Sequence, residues 1–264
     1  MNGIKEFRAP AKLRLRDKDA RGKGNGDDHE DLLNQMHEEI SDLQEKLFAA
    51  RKKKLLIVLQ GTDTSGKDGT VRALFSKISP MGLRAVAFKA PTPIEAAHDY
   101  LWRVHKEVPQ AGEIAVFNRS HYEEVLITRV QKMITSAECK RRYAQIRDFE
   151  RMLSETGTTI VKIFLHISKD EQRERLLARL ENPKKYWKFD PEDLKQRERW
   201  TDYLRAYEAA IEETDADHAP WYIVPSDSKP QRNLIVARIL LETMKGMDLK
   251  FPPPAPGLDK IKIK

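Results

Sequence analysis

Disulfide chemistry is excluded at the outset, because the 264-residue chain has a single cysteine, Cys139. One thiol cannot close an internal bridge, and such sparing use fits a reducing cytosol. Cys139 lies in a charged helical pattern and reads as structural rather than reactive. Long apolar runs are missing too. No stretch approaches the roughly 18 to 20 uninterrupted apolar residues that cross a bilayer. The opening MNGIKEFRAPAKLRLRDKDARGKGNG lacks the apolar block of a secretory signal. The expectation is a cytoplasmic protein with no membrane partner. There is no internal repeat and no acidic excess: 48 basic residues stand against 41 acidic ones, a net +7. That charge is uneven, since residues 1–26 hold eight basic and three acidic side chains, leaving +2 for the rest. Such an arm could bind a polyanion, and composition alone leaves its role open.

What is present is enough apolar material, 40%, for a sizeable core in one large or two small domains. Residues 1–26 mix Gly, Pro and like charges without periodicity and read as an extended arm. Leu32, Leu33, Met36, Ile40, Leu43 and Leu47 then recur at helical spacing, predicting an amphipathic helix over 28–52 whose stripe lies on the main domain or on a partner chain. Short β-branched runs predict strands at 55–60, 83–88, 114–117, 159–167 and 221–224. Helical patterns fall between them at 67–79, 94–106, 122–134, 137–156, 168–180, 191–213 and 229–247. Apolar strands alternating with amphipathic helices imply an α/β fold: about five parallel strands covered on both faces, with ligands beyond the strands' carboxyl ends. Trp200, Tyr203 and Tyr207 have helical spacing and read as core. The tail FPPPAPG, 251–257, cannot continue a helix.

The segment LLIVLQGTDTSGKDGT, 55–70, runs from an apolar strand into a glycine-framed loop: Gly61, four residues, Gly66 and Lys67. This is a phosphate-binding P-loop by spacing and by its strand-to-helix setting. Its amides and the following helix dipole favour an anion, with Thr62, Thr64, Ser65, Gly69 and Thr70 completing the cradle. Lys67 supplies a mobile positive charge. The usual Ser or Thr after that lysine is replaced by Asp68, and a second carboxylate, Asp63, sits inside the loop. A carboxylate among inward amide donors repels phosphate unless a divalent cation lies between them. Asp63 therefore reads as a magnesium ligand, with manganese an alternative, that also orients an acceptor phosphate; a turn cap is the bland reading. Asp68 equally suits the first turn of any helix.

Two further clusters should face that loop. The strand ending at Phe117 runs into FNRSHYEEVL, which puts Asn118 where a second metal carboxylate is usual. Arg119 offers a planar fork to phosphate oxygens, and Glu123 follows. His121 reads as a hydrogen-bonding support and Tyr122 as packing. The second cluster is RERLLARLENPKKYWK, 173–188. Arg175 and Arg179 share a helix face there, and Lys184 and Lys188 follow the Asn182-Pro183 break. Beside a phosphate site it reads as a mobile basic lid.

These motifs, taken with PTPIEAAHDYLWRVHKEVPQAGEIAVFNRSHYEEVLITRV, ENPKKYWKFDPEDLKQRERWTDYLRAYEAAI and APWYIVPSDSK, resemble the polyphosphate kinase 2 family in order from about Leu55 to Leu241. The resemblance implies a three-layer α/β/α P-loop kinase fold related to thymidylate kinases. A basic arm and helix would occupy 1–54 and a kinase domain 55–264, with a helical lid at 168–192 and a tail at 248–264. It implies polyphosphate rather than ATP as donor. Asp63, Lys67 and Arg119 would be catalytic, Arg129 a second phosphate-binding arginine, and Arg175 to Lys188 the lid that closes over the phosphates. Asn118 departs from the aspartate of many members and puts a scheme of two metal-binding aspartates in doubt. FNRSHYE resembles the subgroup called class III, which phosphorylates nucleoside mono- and diphosphates, and Glu123 occupies the acidic position associated there with the monophosphate. Adenine and guanine nucleotides are the expected acceptors, and a homodimer or homotetramer the expected assembly. Two alternatives are an ATP-dependent nucleoside monophosphate kinase and a polyanion-binding protein, for example for nucleic acid.

Overall fold

The computed structural model describes residues 3–22 and 29–257 together with Ile261 and Ile263. The ends of the predicted arm (1–2 and 23–26), the start of the predicted helix (28) and parts of the tail (258–260, 262 and 264) lie outside the described residues. In chain order α1 (His29–Ala50) precedes β1 (Lys54–Gln60), α2 (Lys67–Phe75) and β2 (Leu83–Ala87). Then come α3 (Pro93–Ala96), α4 (Trp102–His105), β3 (Ile114–Asn118), α5 (Ile127–Val130), α6 (Ser136–Glu155) and β4 (Thr158–His166). The chain continues through α7 (Lys169–Leu180), α8 (Glu192–Glu198), α9 (Trp200–Thr214), β5 (Trp221–Pro225) and α10 (Lys229–Lys245).

The strands form a parallel sheet in the order β2-β3-β1-β4-β5. Alternation along β1 explains the layers. Leu55, Ile57 and Leu59 face a core completed by α1, α2 and α10, whereas Leu56 and Val58 face one completed by α6 and α9. With both sheet faces covered, near-continuous apolar strands become stable. The central register places the site: Leu59 pairs with Asn118, so the chain leaving β3 emerges beside the chain leaving β1.

Three predicted helices are broken in the fold. The stretch 94–106 becomes α3 and α4, because Asp99 Oδ1 accepts from the backbone N–H groups of Leu101 (2.9 Å) and Trp102 (3.1 Å) and starts a new turn. The stretch 122–134 becomes a 3₁₀ turn, His121–Glu124, followed by α5. Tyr122 is drawn inward there, its hydroxyl hydrogen-bonded to Glu150 and Thr214 at 2.9 Å each. The stretch 191–213 divides at Arg199 into α8 and α9.

The apolar stripe of α1 lies mostly on its own chain: Ile40 and Leu47 are buried in the core shared with α10, Leu33, Met36 and Leu43 pack against it partly buried, and Leu32 is exposed. The basic arm is likewise no free tail where it is described. Ala9, Leu13 and Leu15 enter the α6/α9 core, and the Ala9 N–H donates to the Trp221 carbonyl at 2.9 Å. The Leu13 and Leu15 N–H groups donate to Glu212 (2.6 Å) and Glu208 (2.8 Å) on α9. Its Arg8 pairs with Asp215 at 2.9 Å. Backbone amides and the Arg8–Asp215 pair thus strap this stretch across β5 and α9, while Lys5, Lys12, Arg14, Arg16, Lys18 and Arg21 stay exposed.

Candidate active site

Gly66 ends the phosphate loop in the left-handed region, at φ 100°, and starts α2. A side chain there would be strained, and a Cβ would stand 2.0 Å from Arg232 Nη1. Thr64 and Arg119 also hold left-handed backbones, at φ 64° and 61°. Non-glycine residues in that conformation cost about 1 kcal/mol or more each and gather where a site is held under constraint. Between them stands the central contact: Arg119 Nη2 donates to Asp63 Oδ1 at 2.6 Å. Arg119 Nη1 lies 3.6 Å from Glu123. Burial opposes the charge on Arg119, but Glu123 and Asp63 outweigh it and push its pKa upward. Glu123 is pushed up by burial, against the pull of Arg119 and Lys67.

Lys67 is buried, and its ammonium donates to the carbonyls of Gly61 (2.8 Å) and Thr62 (3.2 Å) within its own loop. Burial brings it down to about 8; Arg119 adds to the depression, while Asp63, Glu123 and Asp68 oppose it. The buried hydroxyls of Thr62, Thr64 and Ser65 have no hydrogen-bond partner in the protein. A loop with spare donors and a lysine folded onto carbonyls is ready to exchange those contacts for phosphate oxygens.

The Asp63–Arg119 pair separates two cavities and lines both. One is open and is lined by Gly66, Lys67, Asp68, Gly69, Asn118, Arg179 and Lys188. The other is narrow, lined by Glu123, Gln172, Gln196 and the rings of Trp200, Tyr203 and Tyr207. Those rings are buried, as core residues are, yet they also wall a cavity. Trp200 Nε1 there has no partner.

The end of the basic segment reaches Asp68, just after the loop. Its Oδ1 accepts from Asn118 Nδ2 at 2.6 Å and its Oδ2 from Lys188 Nζ at 3.4 Å. Burial works against the Asp68 carboxylate, but Asn118 and Lys188 prevail and lower its pKa. Arg179 Nη1 donates to the Lys188 carbonyl (2.8 Å) and to Asp193 (3.2 Å). Asp193 is pushed up to about 6 by burial and Asp63, against Arg179. Trp187, 79% exposed, lines the open cavity.

Other predicted residues have different surroundings. Arg175 uses all five of its N–H donors inside the protein: Nε on Glu171 (2.7 Å), Nη1 on the carbonyls of Thr64 (2.9 Å) and Ser65 (3.1 Å), Nη2 on those of Ser226 (2.6 Å) and Asp227 (3.0 Å). It buttresses the loop from outside. Thr70 donates back to the Gly66 carbonyl at 3.1 Å. Arg129 bonds Ser136 at 2.7 Å, and neither it nor Lys184 lines either cavity. His121 lies 3.2 Å from Glu150, which also binds buried Lys162 at 2.5 Å, so it supports the loop after β3. Gln172, whose Nε2 donates to the Asp63 carbonyl at 3.2 Å, Asp193, Gln196 and Arg232 were not singled out by pattern. Asp193 alone had a signal, an acid just after the basic lid.

Known proteins match this arrangement. A family model described as Polyphosphate kinase 2 (PPK2) covers residues 23–252. The chain belongs to the polyphosphate kinase 2 family. It is 50% identical over 228 residues to an AMP/ADP-polyphosphate phosphotransferase of Meiothermus ruber, covering 86% of this chain and 85% of that protein. It is 43% identical to an ADP-polyphosphate phosphotransferase of Rhodopseudomonas palustris, over 88% of this chain and 84% of that one. The crystal structure of polyphosphate kinase 2 from Arthrobacter aurescens TC1 superposes with a TM-score of 0.91 at 43% identity, over 96% of this chain and 93% of that one. The fold and family expected from the motifs are thus those of the molecule.

Proposed function

We propose that this enzyme transfers phosphoryl groups reversibly between inorganic polyphosphate and adenine nucleotides, AMP to ADP and ADP to ATP. The observation that carries this reading is the Asp63–Arg119 pair standing between two cavities beside a phosphate loop. The open cavity, which five cations and four aspartates line, suits a phosphate chain. The acceptor then approaches the pair from the side of the narrow cavity, which has to widen to admit a nucleotide. An oxygen of the acceptor's terminal phosphate attacks the end phosphorus of polyphosphate in line, and the bridging P–O bond to the remaining chain breaks. The acceptor oxygen is already ionised, so no base is required. Catalysis rests on positioning and on neutralising oxygens as charge moves to the leaving chain. Lys67 leaves its loop carbonyls for those oxygens, and Arg119 exchanges Asp63 for phosphate.

The donor set fits magnesium. Among the described residues no cluster of His, Cys, Asp or Glu side chains could cage a metal. A single carboxylate such as Asp63, facing phosphates, is what magnesium needs when it keeps most of its waters. Asp63 would hold magnesium, which when bound would neutralise phosphate charge. Glu123, which lines the narrow cavity 3.6 Å from Arg119, would in this reading favour a monophosphate acceptor. Guanine nucleotides are further acceptors in this reading, a homodimer or homotetramer is the assembly, and the cytoplasm is the compartment.

The experiment supplies AMP or ADP with polyphosphate and magnesium and no ATP. New ADP or ATP is expected. Activity that returns only with ATP as donor would instead identify a nucleoside monophosphate kinase. Adding GMP and GDP sets the base preference.

A further inference from the structure

Arg232 is a buried cation that no carboxylate of the described residues balances. It lies in the first turn of α10 and is 3% exposed. Nε and Nη2 donate to Asn233 Oδ1 at 3.2 and 2.8 Å, and Nη1 to the Ser65 carbonyl at 3.4 Å. Among the described residues it makes no ion pair. The charge felt by Arg232 is another cation, Arg175, which adds to burial in lowering it to about 10. The guanidinium nevertheless presses on the phosphate loop: a Cβ at Gly66 would stand 2.0 Å from Nη1, and one at Gly69 3.6 Å from Nη2. Two arginines thus hold the Ser65 carbonyl on one side of the loop, Arg175 at 3.1 Å and Arg232 at 3.4 Å. In a trans peptide the N–H opposes the carbonyl, so the Gly66 N–H is turned away from the two guanidinium groups, and Gly66 lines the open cavity.

An ion buried without a counter-charge is costly, and a neutral side chain could supply the same hydrogen bonds more cheaply. The arrangement makes sense if the counter-charge arrives on the far side of the loop. We infer that Arg232 is a positioning residue that charges the phosphate loop from behind, strengthening its hold on a polyphosphate end that Arg232 never touches. This inference rests on the loop being the polyphosphate site. Because the charge acts through the backbone, its effect belongs to phosphate affinity more than to the chemical step.

The test compares wild type, Arg232→Gln and Arg232→Lys in two measurements: steady-state kinetics with polyphosphate and ADP, and thermal stabilisation by tripolyphosphate. For Arg232→Gln the polyphosphate KM is expected to rise about tenfold, with kcat and the ADP KM within about threefold. At least half of the tripolyphosphate stabilisation should be lost. Arg232→Lys, which keeps the charge, should restore both. A wild-type KM and stabilisation in Arg232→Gln, or equal impairment in the two variants, would overturn the inference. If Arg232→Gln does not fold, Arg232→Lys decides: a KM within about threefold of wild type supports the charge, and a tenfold rise refutes it. A wild type that does not turn over polyphosphate sinks the proposed function separately, and the tripolyphosphate shift still tests Arg232.

Discussion

Asp63 meets two opposed demands. In the proposed mechanism its carboxylate repels phosphate alone and recruits it through a metal; in this structure Arg119 holds it at 2.6 Å. Replacing Asp63 with Asn keeps the shape and removes the charge. Turnover should fall at least about a hundredfold while the circular dichroism spectrum and thermal midpoint stay near wild type; retained turnover would remove Asp63 from the mechanism. Lys67 makes a pH prediction. Its folded value near 8 means that the free enzyme loses the phosphate-binding charge above that pH. The kcat/KM for polyphosphate should fall about tenfold per pH unit above about 8, whereas kcat, measured with phosphate already bound to the ammonium, holds to higher pH. Stability runs the other way. Between about 8 and the unfolded value near 10.4 the unfolded chain binds more protons at this site, so its contribution to stability rises with pH. A kcat/KM profile flat to about pH 10 would show that Lys67 keeps its charge in the free enzyme.

At the scale of elements, the segment after β4 meets the loop through Gln172 on the Asp63 carbonyl, Arg175 on the Thr64 and Ser65 carbonyls, and Lys188 on the Asp68 carboxylate. Lys188, at the end of a 3₁₀ turn, reaches Asp68 and lines the open cavity, whereas Lys184, a few residues before it, does neither. Sequence treats these lysines alike. Lys188→Ala should raise the polyphosphate KM about fivefold, a contact worth about 1 kcal/mol, and Lys184→Ala should leave it within about twofold. Equal effects would mean that the lid acts as diffuse charge. The breaks within the predicted helices have a similar origin. Periodicity reports which face is apolar, but Asp99 and Tyr122 find hydrogen-bond partners that a continuous helix would deny them. Strand positions were far more legible, because burial on both sheet faces leaves an almost unbroken apolar run.

For the molecule as a whole, the N-terminal strap is part of the fold it crosses. Leu13 is buried against the α6/α9 core, so Leu13→Ala should cost about 2–5 kcal/mol and lower the denaturation midpoint. An unchanged midpoint would make the strap a passive appendage. Composition showed only a basic arm, because the carboxylates that engage it, Glu208, Glu212 and Asp215, lie some two hundred residues away. By itself the sequence determined the parallel α/β layering, the phosphate loop and the basic segment after β4. These are local: strand length, glycine spacing and helix periodicity are set by neighbours along the chain. Only the tertiary structure decided that Arg175 and Arg232 stand behind the loop, that Trp200, Tyr203 and Tyr207 wall a cavity, and that Asp63 meets Arg119 between two chambers. Those facts depend on where β1, β3, α7 and α10 end relative to one another, and long-range packing alone determines that.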